Sequence, residues 1–156
     1  MPSDRRDGWI GLLSFGFFIM LFALFFIIVP DYYTEVSKFF EDFLKLKPYP
    51  DAPQIYLPLP GTHHPVVYET VMRFCVVYGL FQFFVLALRF YFKSSTKKVA
   101  ETISNIVTWL GAAYVFNLLY LEVLEWFPFI GGLLVVFGFS LIARSLFILL
   151  ASMYKR

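Results

Sequence analysis

Charge, cysteine and histidine are all scarce in this chain. Only 15% of its 156 residues are charged, Cys75 is its one cysteine, and its two histidines are the adjacent pair His63 and His64. So little charge excludes a water-soluble domain of this length, whose surface needs far more polar cover. It also excludes a disordered tail, since such segments are rich in charge and poor in apolar residues. One cysteine excludes an intrachain disulfide, a CxxC redox pair and a thiolate zinc site; Cys75 reads as a small core residue. No histidine falls inside a long apolar run, so haem has no axial ligand between helices. There is no G-x-S-x-G, no H-E-x-x-H and no phosphate-cradling glycine loop. No catalytic residue and no cofactor are implied, and the chain is not expected to be an enzyme. Its 13 Lys and Arg against 11 Asp and Glu leave +2, too even a balance for a nucleic-acid partner.

Apolar residues fill the space that charge leaves. They make up 60% of the chain, with 21 Phe among them. Four stretches are long enough to cross a bilayer core of about 30 Å as helices: residues 9–29, 69–92, 101–122 and 129–154. The second carries Arg73 and Arg89 near its ends, where long stems let them reach the two interfaces. The runs are apolar on all sides rather than alternating, which favours helices over barrel strands. The expected fold is an all-α integral membrane protein: a single domain, 1–156, forming a four-transmembrane-helix bundle. The first run is longer than a signal-peptide core and no A-x-A motif follows it, so a retained signal anchor is expected.

Orientation follows from the Lys and Arg of the short loops. Arg5, Arg6, Lys93, Lys97, Lys98, Lys155 and Arg156 share one side, while the opposite short loop holds Glu122 and Glu125. Both termini are therefore expected in the cytoplasm, and in the absence of a transit peptide the expected location is a prokaryotic plasma membrane. Trp9 and Trp126 begin helices at interfacial depth, as aromatic belts do.

Residues 30–65 form the one sizeable outer segment. Within 34–47, Val36, Phe39, Phe40, Phe43 and Leu44 recur at helical spacing opposite Glu35, Lys38, Glu41, Asp42 and Lys45, which predicts an amphipathic helix. Residues 48–65 hold six prolines. They predict an extended, polyproline-like loop across the outer face, a plain connector or a lid.

Polar residues suggest two clusters. Counting from the cytoplasmic ends, Arg144, Gln82, Asn105, Thr108 and Ser14 reach a similar depth, with Glu101 below them. An arginine there must recover its lost hydration from neighbours, so an inner polar layer around Arg144 is expected, held together by Arg144 reaching toward Glu101. On the outer side Glu69 and Arg73 form an i,i+4 pair that Asn117 or Glu122 could join. His63 and His64 are weak metal candidates: adjacent side chains on extended backbone diverge, so solvated or capping histidines are expected and no metal site is assigned. Ser104, Thr108 and Ala112 in the third run, and Gly131, Gly132, Gly138, Ser140 and Ala143 in the fourth, suit close helix packing.

The expected function is a structural or accessory subunit of a membrane assembly. Its partners would be the lipid bilayer and another membrane protein or a second copy. The alternative is a small channel or transporter for an ion or small anion that uses the inner polar layer.

Overall fold

A computed structural model describes residues 3–49, 52–58 and 64–154, with side chains from Asp7 to Met153 except those of Ala52 and Pro58. Helix α1, Ser3–Ile28, is followed by α2, Tyr32–Leu44. A hairpin of β1, Leu46–Tyr49, and β2, Ala52–Pro58, leads to α3, Pro65–Tyr91, then α4, Thr96–Tyr120, and α5, Trp126–Tyr154. Helices α1, α3, α4 and α5 are long and apolar enough to cross a membrane, and apart from the hairpin the ordered elements are helical.

Local chemistry sets the breaks. Pro30 cannot continue α1, and Asp31 takes a left-handed conformation, φ 55°, which a short polar side chain tolerates better than most. Pro65 opens α3 in the first turn, where its missing N–H costs nothing. Helices α3 and α4 end in Schellman turns. Ser94 N–H bonds Arg89 C=O at 2.9 Å and Val123 N–H bonds Leu118 C=O at 2.9 Å. The left-handed residues in these turns are Lys93, φ 51°, and Glu122, φ 56°, where glycine is the usual choice.

The segment between α1 and α3 departs from expectation in two ways. The first helix there starts at Tyr32 and stops at Leu44, because Leu46–Tyr49 joins a strand instead. The proline-rich stretch folds back as an antiparallel hairpin, Leu46 opposite Pro58 and Pro48 opposite Tyr56, rather than running as one extended strap. In a two-stranded ribbon both strands are edges, so prolines can sit where no ladder N–H is needed.

The four long helices form a row rather than a closed bundle. Helix α1 packs on α3, α3 on α4, and α4 on α5, with no extensive contact between α1 and α5. In the most apolar 18 residues of each helix, 33% are buried in α3 and α4, 11% in α1 and 6% in α5. Glycine sets the closest approaches. A Cβ on Gly111 would meet Val136 Cγ1 at 2.6 Å, and one on Gly132 would meet Val115 Cγ1 at 3.0 Å. Helix α1 relies on an aromatic seam. Phe17 stacks on Phe81 with centroids 3.8 Å apart, and Phe18 meets Phe74 and Tyr78 edge-on at 5.3 Å. Such pairs add about 0.5–1.5 kcal/mol each beyond area burial. The core lies toward the hairpin end, where Tyr68, Val115, Leu119 and Phe129 pack under Phe39 and Trp126.

Candidate functional site

The hairpin end holds a small charged junction. Asp42 Oδ2 accepts from Lys47 Nζ at 3.0 Å and faces His64 Nε2 at 3.5 Å, joining α2, β1 and the start of α3. His64 is buried, 8% exposed, and its ring stands edge-on to Phe39 at 5.4 Å. Its Nδ1 has no hydrogen-bond partner among the described residues. Of the expected solvated or capping roles, His64 is not solvated, because α2 folds over it; it occupies the N-cap position of α3 without a side-chain cap bond, and His63 lies outside the described residues. Among the described residues no group of three His, Cys, Asp or Glu side chains is placed to hold a metal.

The opposite end, where the helix termini gather, holds Arg89 rather than Arg144. Arg89 is 7% exposed and donates from a guanidinium N–H to Lys98 C=O at 2.6 Å. The carboxylates of Glu101 and Asp7 act on its charge. Thr102, fully enclosed, donates to the same Lys98 carbonyl at 3.1 Å. One signal was available in the sequence: Arg89 sits among apolar residues, about one turn before Lys93. Its long stem is expected to carry it to the interface, but the guanidinium is instead buried against Lys98 C=O.

The inner polar layer assembles only in part. Gln82, 1% exposed, donates from Nε2 to Ser14 Oγ at 3.0 Å, and Ser14 Oγ lies 3.0 Å from the Tyr78 hydroxyl. Thr108 donates to the Ser104 carbonyl of its own helix at 3.0 Å. Asn105 and Arg144 stand on the outer surface of α4 and α5. Glu101 pairs with Lys98 at 3.0 Å, not with Arg144. The register fixed at Gly111 and Gly132 brings Arg144 level with Ile103. That is close to the polar end of α4, where its stem can carry the guanidinium outward. The layer on which a channel would depend is therefore not brought together around Arg144.

Of the second cluster, Arg73 donates to Glu69 one turn away. Asn117 makes no side-chain bond among the described residues, and Glu122 occupies the left-handed turn after α4.

Two faces of the row stand out, the first not legible in the sequence and the second made of small residues already expected to pack closely. One is a cavity of about 400 Å³ walled by rings of α1, α3 and α4, including Phe18, Phe22, Phe74 and Trp109, with Tyr32 of α2 and Leu133 of α5 at its edges. The other is the free face of α5. A Cβ on Gly131 or on Gly138 would meet nothing within 4 Å. These two glycines are seven residues apart and so share one helix face.

No family model matches this chain, and no curated protein or solved structure matches it.

Proposed function

We propose that this chain is a structural or accessory subunit of a membrane assembly and that α5 is the helix it offers to a partner. The observation that carries the reading is how the glycines divide. Gly79, Gly111 and Gly132 are each met by a neighbouring side chain within this chain, whereas Gly131 and Gly138 of α5, like Gly8, Gly11 and Gly16 of α1, face open space; α5 is favoured over α1 because it is the least covered long helix, with 6% of its most apolar window buried against 11% in α1. Small residues on one face of a membrane helix let a second backbone approach closely, and van der Waals packing then drives association. Ser145, another seven residues on and exposed, continues the face. The partner is another membrane protein or a second copy of this chain.

The remaining features fit the same reading. The Lys and Arg distribution supports cytoplasmic termini, as in a multi-pass protein of a prokaryotic plasma membrane. Helix α2 supports an amphipathic element at the outer interface. Its Phe39 and Phe43 rings pack against Trp126, while Phe40 and Leu44 stay exposed toward the headgroup region.

Photo-crosslinking in native membranes tests the assignment. A photoreactive residue at Ile142, beside Gly138, is expected to give one discrete protein adduct whose mass tells a second copy from another protein. The same residue at Tyr114 on α4 is expected to capture lipid only, and Gly138→Leu to abolish the Ile142 adduct. Lipid adducts alone at both positions would defeat the reading. Single cysteines at Ser95 and Ile55, in a Cys75→Ser background, are expected to label from opposite sides of the membrane.

A further inference from the structure

The row of helices leaves a lateral cavity of about 400 Å³ between α1 and α5. Phe22 of α1, Phe74 of α3, Trp109 of α4 and Leu133 of α5 line it, together with Tyr32 at the start of α2. We propose that this cavity holds one acyl chain of a phospholipid from the leaflet nearest the hairpin, with the Tyr32 hydroxyl serving the ester-carbonyl end of that chain. The proposal rests on membrane insertion but not on the docking face of α5.

Size excludes a helix. A single α-helical turn, about 10 Å across and about 5.4 Å tall, already occupies roughly 400 Å³. A span from a partner or a second copy therefore cannot enter, whereas a flexible hydrocarbon chain can, and the volume is that of a ligand cavity. Polarity excludes water, which needs two to four polar partners. The lining is almost all ring and aliphatic carbon, and the Thr70 hydroxyl is already committed to Val66 C=O at 2.6 Å.

The ends of the cavity differ, and this gives the occupant a direction. Tyr32 is buried, 8% exposed, and its hydroxyl makes no hydrogen bond among the described residues. Burial raises its pKa, so it remains a neutral O–H donor suited to a carbonyl oxygen. A phospholipid in its ordinary orientation carries its ester carbonyls at the end of the chains nearest the aqueous face. The fourth side is open because α1 and α5 are not packed together. A chain can thus enter sideways while its headgroup stays at the surface.

The test is intact-mass measurement of the full chain, extracted from membranes in mild detergent and extensively exchanged. Retention of one phospholipid per chain is expected. It is expected to be lost in Ala112→Phe, whose ring fills the cavity from α4, and to be weakened several-fold in Tyr32→Phe. Gly138→Leu is expected to keep the lipid even where it loses the α5 partner, which separates this proposal from the docking reading. Trp109 gives a second readout that does not depend on Ala112→Phe folding. In bilayers containing phospholipid brominated along its chains, fluorescence quenching is expected to exceed that set by the bulk brominated fraction, with the excess absent in Trp109→Phe. Three results would each overturn the proposal: a retained sterol, quinone or free fatty acid in place of phospholipid; a phospholipid retained equally by Ala112→Phe; or quenching that only follows the bulk fraction. A chain absent from the membrane fraction would instead sink the membrane reading on which the proposal stands.

Discussion

Gln82 of α3 and Ser14 of α1 are joined by a 3.0 Å hydrogen bond from Nε2 to Oγ, and the Tyr78 hydroxyl lies 3.0 Å from the same oxygen. This is the polar tie between α1 and the rest of the row. It matters because α1 packs mainly on α3 among the long helices, with Phe18 also meeting Trp109 of α4 at 5.9 Å. Interhelical hydrogen bonds within membranes contribute about 0.6 kcal/mol on average and about 1.7 kcal/mol at most. In a Ser14→Ala/Gln82→Leu cycle the two losses are expected to be non-additive by about 1 kcal/mol. Equilibrium unfolding in mixed micelles measures this, and strictly additive losses would show that the bond contributes nothing.

Gly111 and Gly138 are expected to respond oppositely to alanine. At Gly111 the new Cβ would stand 2.6 Å from Val136 Cγ1, and a β-branched side chain has no free rotamer with which to give way. The helices must separate, at a cost of about 1–3 kcal/mol. At Gly138 nothing is near, so Gly138→Ala is expected to gain up to about 1 kcal/mol of helix propensity. Thermal unfolding of both variants in one detergent decides; equal shifts would contradict the α4–α5 register.

Arg89, not Arg144, is expected to matter for the fold. Its guanidinium is buried and bonded to Lys98 C=O at 2.6 Å, and bonds of this charge-assisted kind are worth about 1.5–3 kcal/mol. Arg89→Leu is expected to destabilise by about 2 kcal/mol. Arg144→Leu is expected to leave the isolated chain unchanged, and in an Arg144→Leu/Glu101→Gln cycle the effects are expected to add. Coupling in that cycle would restore the abandoned Arg144–Glu101 pair.

Tyr32 links the docking of α2 to pH. Burial raises its pKa above the ordinary value near 10, so the unfolded tyrosine ionises first. Stability from this group is therefore complete below about pH 10 and falls as pH rises through the folded value. Limited proteolysis at the α1–α2 turn is expected to accelerate in that alkaline range. Tyr32→Phe is expected to remove the part of the pH dependence that belongs to this group, and an unchanged profile would argue against it.

Lys93 holds a backbone conformation that costs a residue with a Cβ about 1–2 kcal/mol. Lys93→Gly is expected to recover about 1 kcal/mol of that, seen as a higher unfolding midpoint. A loss of stability would mean that the lysine side chain contributes something the turn geometry does not reveal.

Depth along a helix was legible in the sequence, but direction around it was not. Counting residues from the polar ends grouped Ser14, Gln82, Asn105 and Arg144, and Ser14 and Gln82 do meet. Asn105 and Arg144 share that region of the row but point outward. Nearly every residue of α5 is apolar, so its sequence has no polar face to show which side packs on α4. The outcome was decided by Val136 fitting over Gly111 and Val115 over Gly132. Likewise the prolines of residues 48–58 excluded a helix, but the turn back into a hairpin depended on pairings such as Lys47 with Leu57, which are non-local.

The sequence by itself determined that the chain has four helices of membrane-crossing length and a helix after the first. Composition and local periodicity suffice for that, because backbone polar groups in an apolar medium must be satisfied within each segment. Only the tertiary structure decided that the helices stand in an open row, that His64 is buried beside Asp42, and that a ring-lined cavity separates α1 from α5. These depend on which side chains fit against which across tens of residues. In an all-apolar helix many faces offer nearly equal burial, so shape complementarity at a few glycines and rings makes the choice.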